Sequence, residues 1–152
     1  MRQSQYQKLK RLKQDTQVYI LNGLSCFTRP EYICCLLLGF LAWFFPEPGM
    51  DIHWGRLLYL ALIEELLFRF FLQDILTKIF SRAFFKKQLS LGNIIASLIF
   101  SLLHLFTHPP LWSLAVFFPS LVFGWSWERY HNIIPCWLLH FFYNLAYFYR
   151  AF

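Results

Sequence analysis

Glu64 and Glu65 lie side by side in a run, residues 57–72, whose only other charged residue is Arg69. A carboxylate near the centre of a bilayer costs roughly 2.5–3.5 kcal/mol on insertion scales, so an acid pair in such a run reads first as a functional site. Two further apolar runs carry strongly polar groups: Ser97, Ser101 and His104 in one, His140 and Asn144 in the other. The spacing sorts the roles. Glu65 and Arg69 are four apart with the acid first, the favourable order for an ion pair on one helix face. Glu64 points to a different side and lacks that partner, which leaves it to take a proton from water and return it. His140 and Asn144 are also four apart, so imidazole and carboxamide face one way and can donate to an oxygen that becomes negative. Phe100 and His104 share a face of their helix, where the ring can fix the imidazole.

These groups need helices to bring them together, and the composition says the helices are in lipid. The chain has 152 residues, 58% hydrophobic and 22% aromatic, with only 14% charged. Soluble domains carry about 25% charged residues. Apolar runs at 32–45, 54–75, 91–107, 111–127 and 133–148 predict an all-α, polytopic membrane bundle of about five transmembrane helices. Pro119 is expected to kink the fourth. Residues 1–29 are basic and partly amphipathic and are expected to lie at the cytoplasmic interface, and residues 30–152 are expected to form one membrane domain. No segment alternates as a strand would, and no cleavable signal peptide is expected. Cys26, Cys34, Cys35 and Cys136 form no C-x-x-C pair and read as small buried hydrophobes. His53, His108 and His131 fall at expected loops and read as interfacial.

The net charge of +6 is unevenly placed. Arg2, Lys8, Lys10, Arg11, Lys13 and Arg29 precede the first run; Lys78, Arg82, Lys86 and Lys87 fill the loop after the second; Arg129 follows the fourth. The opposite side holds only Arg56 and Arg150. This bias puts the N-terminus in the cytoplasm, the C-terminus outside and the polar groups in the outer half of the membrane, with access from the extracytoplasmic side. The basic residues flank apolar runs, which implies contacts with membrane lipids and argues against a nucleic-acid partner.

Residue types exclude several chemistries that membrane enzymes use. There is no His-Glu-x-x-His, no Gly-x-Ser-x-Gly, no intramembrane aspartate pair and no di-iron Glu-x-x-His set. One metal held by Glu64, His104 and His140 stays open on chemistry alone, since carboxylate and imidazole suit zinc. A simple ion-pair staple is disfavoured, because one arginine cannot neutralise two acids, whereas Asn144 as glue between helices is a serious alternative. A proton- or cation-handling transporter and a non-catalytic immunity or assembly protein are the competing functions. The transporter is disfavoured by the lack of a paired-repeat pattern.

Glu64-Glu65-Leu66-Leu67-Phe68-Arg69, Phe100-Ser101-Leu102-Leu103-His104 and His140-Phe141-Phe142-Tyr143-Asn144 stand in that order on three runs. In this the chain resembles the CPBP intramembrane proteases, the group of type II CAAX prenyl proteases and bacteriocin-processing enzymes also called Abi. Phe123-Gly124 sits where that family often has a glycine-containing helix. The resemblance covers about residues 55 to 148 and implies a glutamic intramembrane endopeptidase with no required cofactor. It implies that Glu64, assisted by His104, activates the attacking water, that His140 and Asn144 stabilise the oxyanion, and that Glu65 and Arg69 support the site. The implied partner is a protein substrate with a hydrophobic or lipidated tail. The implied location is a multi-pass position in a prokaryotic inner membrane. Only one short run precedes the first motif, whereas family members commonly have more helices there. In size the chain is similar to the short JDVT-CTERM-associated type, linked to C-terminal sorting tails of bacterial surface proteins.

Overall fold

A computed structural model describes residues 2–46, 52–80, 82–84 and 89–149, with the side chains of residues 2–6 and 8–10 not included. The expectations for Lys86, Lys87 and Arg150, and for the side chains of Arg2, Lys8 and Lys10, lie outside the described residues. The fold is all-α. In order it contains α1 (Arg2–Leu24), a 3-10 turn (Ser25–Thr28), α2 (Pro30–Leu38) running on as a 3-10 stretch (Gly39–Phe44), and α3 (Trp54–Glu65). A π-helical segment (Leu66–Gln73) leads into α4 (Asp74–Ile79), then come α5 (Leu91–His104), α6 (Pro110–Ala115), α7 (Phe117–Tyr130) and α8 (Ile133–Phe148).

Local chemistry sets the boundaries. Pro30 opens α2 and Pro110 opens α6, at first-turn positions whose N–H would have no helical partner anyway. Ser90 caps α5 by accepting from the Asn93 N–H, and Asn132 caps α8 by accepting from the Ile134 N–H. His131 ends α7 in the left-handed conformation, at φ 45° and ψ 40°. The kink expected at Pro119 is a full break: the fourth run is two helices that meet at Val116. Proline cannot donate to the carbonyl four residues back, and its ring crowds that carbonyl, which belongs to Ala115, the last residue of α6. The basic loop after α4 also differs from expectation. It carries a two-residue antiparallel pair, β1 (Ala83–Phe84) with β2 (Leu89–Ser90), Ala83 opposite Ser90. Two residues per strand are too few to show any alternation in sequence.

The core gathers Cys26, Tyr32, Phe123, Trp127, Cys136 and Leu139. Buried Tyr32 donates its hydroxyl to the Pro135 carbonyl at 2.8 Å, tying α2 to the start of α8. The same end holds α1, whose Tyr19 carbonyl accepts from Asn132 Nδ2 at 2.7 Å. No single helix among the described residues is long and apolar enough to cross a membrane; Arg11–Thr28 with Pro30–Phe44, bent by 76°, meets the length and composition together. The apolar helix α5 has 14 residues. At 1.5 Å per residue that is about 21 Å, short of a hydrocarbon core of about 30 Å.

Helices α4 and α5 approach closely at Gly92, where a Cβ would stand 2.6 Å from the Thr77 backbone nitrogen. Backbone cannot swing aside, so Gly92→Ala is expected to cost about 1–3 kcal/mol. Thermal unfolding in detergent checks this; an unchanged midpoint contradicts the close approach.

Candidate active site

Helix α3 delivers the acid pair on its last turn. Glu65 is fully buried and Glu64, one residue earlier and rotated away, keeps its side chain 31% exposed. The chain then enters the π segment, with the Asp74 N–H bonded back to the Arg69 carbonyl five residues earlier. Such segments are rare and occur frequently at functional sites. On it, Arg69 donates from Nε to Glu65 Oε2 at 3.0 Å. Its two other nitrogens donate to Gln73 Oε1 at 3.0 Å and to Ser120 Oγ at 2.7 Å. The guanidinium also stands 5.9 Å from the centre of the Phe100 ring.

The second oxygen of Glu65 faces α8: Oε1 lies 2.8 Å from His140 Nδ1. A carboxylate there can only accept, so Nδ1 bears the proton. The other nitrogen of that ring, Nε2, lies 3.5 Å from Glu64 Oε2. One imidazole thus spans the two acids. Phe123 stacks on it, 4.6 Å between centres and 13° between planes. Helix α5 contributes His104, whose Nδ1 lies 2.8 Å from the Phe100 carbonyl. A carbonyl also only accepts, so Nδ1 bears a proton, and in the neutral ring Nε2 keeps a lone pair that is not used by this contact. The Phe100 ring packs at 4.4 Å against His104 and at 5.9 Å against His140.

His104, His140 and Asn144 line one cavity of about 370 Å³. Its remaining wall is largely apolar and aromatic, from the 3-10 stretch after α2, from α6 and α7, and from α8. Glu64 is not on this wall and joins the group through His140 Nε2. His108, read as interfacial, stacks on the cavity residue Trp112 at 4.2 Å and stands 5.5 Å from His104. Among the described residues, no three histidine, cysteine or acidic side chains are grouped so as to hold a metal ion.

The supporting residues were not singled out from sequence. Gln73, fully buried, donates from Nε2 to the Gly124 carbonyl at 3.0 Å and to Glu128 Oε1 at 2.8 Å. Asn93, also fully buried, donates to the Leu121 carbonyl and accepts from Ser97. A signal existed. Glu65, Arg69 and Gln73 repeat every four residues, and Ser120, Gly124 and Glu128 repeat with the same step on α7. Two polar stripes of equal period in apolar helices are partners waiting to be paired. Gly124 belongs to the stripe because a Cβ there would fall on the Asn93 and Gln73 side chains.

Residues 51–146 match the family model described as "Type II CAAX prenyl endopeptidase Rce1-like". That is well over half of the chain, and the chain belongs to this family. No curated protein and no solved structure matches it.

Removing one member of a buried ion pair leaves the other uncompensated. Arg69→Met is therefore expected to destabilise the fold by about 3–5 kcal/mol. Lys78→Met, which breaks the exposed Lys78–Asp74 pair, is expected to cost at most about 1 kcal/mol. Chemical denaturation in detergent measures both, and similar midpoints for the two variants contradict the ranking.

Proposed function

We propose that this protein is an intramembrane endopeptidase of the glutamic type, hydrolysing a peptide bond near a membrane-embedded or lipidated C-terminal tail. One observation carries the reading. Both acids meet the same imidazole, but only Glu65 is held by Arg69, so Glu64 is the acid with capacity to spare beside a cavity that presents His104, His140 and Asn144.

The chemistry runs as follows. A water between Glu64 and the cavity gives a proton to the Glu64 carboxylate as its oxygen bonds to the scissile carbonyl carbon. His104 Nε2, a free acceptor, holds the second hydrogen of that water and aims the lone pair. The carbonyl oxygen becomes an oxyanion and receives hydrogen bonds from Asn144 Nδ2 and from His140 Nε2, the latter through a second ring proton, the one that Nε2 shares with the Glu64 carboxylate. His140 has committed Nδ1 to Glu65, so Nε2 is its remaining contact, and Glu64 at 3.5 Å is the group that shares a proton with it. The proton on Glu64 then passes to the leaving nitrogen as the C–N bond breaks. The apolar walls accept the hydrophobic part of the substrate and keep bulk water out.

The placement of the cavity supports access from the extracytoplasmic side. Its wall comes from the C-terminal ends of the α2 run, α5 and α8 and from the N-terminal part of the α6–α7 run. The charge bias assigns all four of those ends to the outside, with the N-terminus in the cytoplasm. In this reading the protein is a multi-pass enzyme of a prokaryotic inner membrane, with membrane lipids and the tail-bearing substrate as its partners.

Glu64→Gln keeps size and removes the base. It is expected to lower kcat by about 10²–10⁴-fold with the fold intact, as general-base removal does. Asn144→Ala is expected to lower kcat by about 10²–10³-fold, the range for an oxyanion donor. Mass spectrometry of a lipidated C-terminal peptide incubated with purified protein checks both. Activity is expected to persist in chelator, and stoichiometric zinc with chelator-sensitive cleavage contradicts the mechanism. A Glu64→Gln variant that still cleaves ends the proposal.

A further inference from the structure

The buried polar chain does not stop at Arg69. From the cavity inward it reads His140, Glu65, Arg69, Gln73, Glu128 and Ser90, each contact 3.0 Å or shorter. Neither Gln73 nor Glu128 touches the cavity, and the proposed reaction gives them nothing to do. We propose that Gln73 and Glu128 are the positioning residues of this active site. They form a clamp that fixes Arg69, through it Glu65, and so the Nδ1–H contact and pose of His140. This inference rests on the protease reading for its kinetic consequence, but not for its structural one.

The argument is one of donors and acceptors. Gln73 Oε1 faces the Arg69 guanidinium, which has only hydrogens to offer. Gln73 Nε2 faces the Gly124 carbonyl and the Glu128 carboxylate, which have only lone pairs to offer. Rotating the amide by half a turn would set nitrogen against nitrogen and oxygen against two oxygens. The amide therefore has one acceptable orientation, and Glu128 helps to enforce it. With Gln73 fixed, Arg69 has three acceptors on its three nitrogens and no freedom to turn. Glu65 then has one oxygen on Arg69 and one left for His140 Nδ1, which directs Nε2 at Glu64. Loss of the clamp leaves Arg69 short of an acceptor in a dry interior, and it would draw on Glu65 to compensate.

Glu128 also reaches the other catalytic helix. The same Oε1 accepts from Ser90 Oγ, and Ser90 is the cap of α5, whose far end carries His104. Half-buried Glu128 on α7 thus holds the π segment and the start of α5 together, behind both imidazoles. Such a residue should affect geometry and not substrate affinity, because it makes no contact with the cavity.

The test uses the full-length protein in detergent with a lipidated C-terminal peptide, comparing Gln73→Met, Glu128→Ala and Glu128→Gln. Gln73→Met and Glu128→Ala are expected to lower kcat by about 10- to 100-fold, the scale for a small misplacement of catalytic groups. KM should stay within about twofold, since binding contacts are untouched. Glu128→Gln should recover most of the rate, because its amide oxygen can still accept from Gln73. The second readout needs no activity. In protein labelled with ¹⁵N-histidine, with His140 assigned by its loss in His140→Gln, the wild type should show one state with Nδ1 protonated, and Gln73→Met and Glu128→Ala a mixture in which part of the population has lost the proton on Nδ1. Wild-type kcat together with a wild-type His140 signature in Gln73→Met or Glu128→Ala overturns the clamp. If Gln73→Met does not fold, Glu128→Ala alone decides. A wild-type protein that cleaves nothing overturns the protease reading, and the imidazole signature still decides the clamp.

Discussion

The Glu65–Arg69 pair is the constraint on which this structure turns. Both side chains are wholly buried and 3.0 Å apart. Removing two charges from water costs several kcal/mol per ion, and their attraction offsets that cost only if every remaining donor and acceptor is satisfied. Here the guanidinium gives one hydrogen bond to each of Glu65, Gln73 and Ser120, and the second carboxylate oxygen meets His140. The consequences spread outward. Ser120 fixes where α7 stands, and His140 fixes where α8 stands. The acid beside Glu65 has none of this. A helix turns about 100° per residue, so Glu64 is carried off the Arg69 stripe and onto the side of His140 Nε2. Two identical residues, adjacent in the chain, acquire opposite characters: one is a fixed anion in a network, the other is half-exposed with an imidazole at 3.5 Å.

Helix packing in lipid has no hydrophobic force to separate inside from outside, so polar stripes and small residues set the register. The bundle uses both. The stripe of Glu65, Arg69 and Gln73 meets the stripe of Ser120, Gly124 and Glu128, and both run in the same direction along the fold. Glycine stands at the middle of the second stripe because two amide side chains occupy the space a methyl group would need. The aromatic residues then fill what the polar groups leave. Phe100 packs against both cavity imidazoles and Phe123 lies flat on one of them, so each of these rings also limits the freedom of a histidine.

Much of this was legible in the chain. The ion pair between Glu65 and Arg69, the divergence of Glu64 from it, and the packing of Phe100 against His104 all follow from helical spacing within one segment, and the structure has each of them. The all-α class followed from five apolar runs. What crossed between segments was harder. That His140 would join both acids depends on how α8 docks against α3, which spacing within α8 does not disclose. The stripe partners Gln73, Ser120 and Glu128 were visible only by comparing periods in two distant helices. The break at Val116 was foreseen as a bend at Pro119, three residues later, because the disturbance falls on the carbonyl four residues before the proline and not on the proline itself. His108 lies in the turn between α5 and α6, where a loop was expected, and what the spacing did not disclose is that Trp112 of α6 stacks on its ring.

The central claim is that the Glu64 carboxylate, both imidazoles and the Asn144 amide surround one place where a peptide bond can be attacked. An experimental structure of Glu64→Gln with an uncleaved substrate bound tests it most directly. The account predicts the scissile carbonyl inside the cavity, its oxygen within hydrogen-bond distance of His140 Nε2 and Asn144. It also predicts room for one water between the carbonyl carbon and the side chain at position 64. A substrate seated elsewhere, or a scissile bond that His140 and Asn144 cannot both reach, would contradict it.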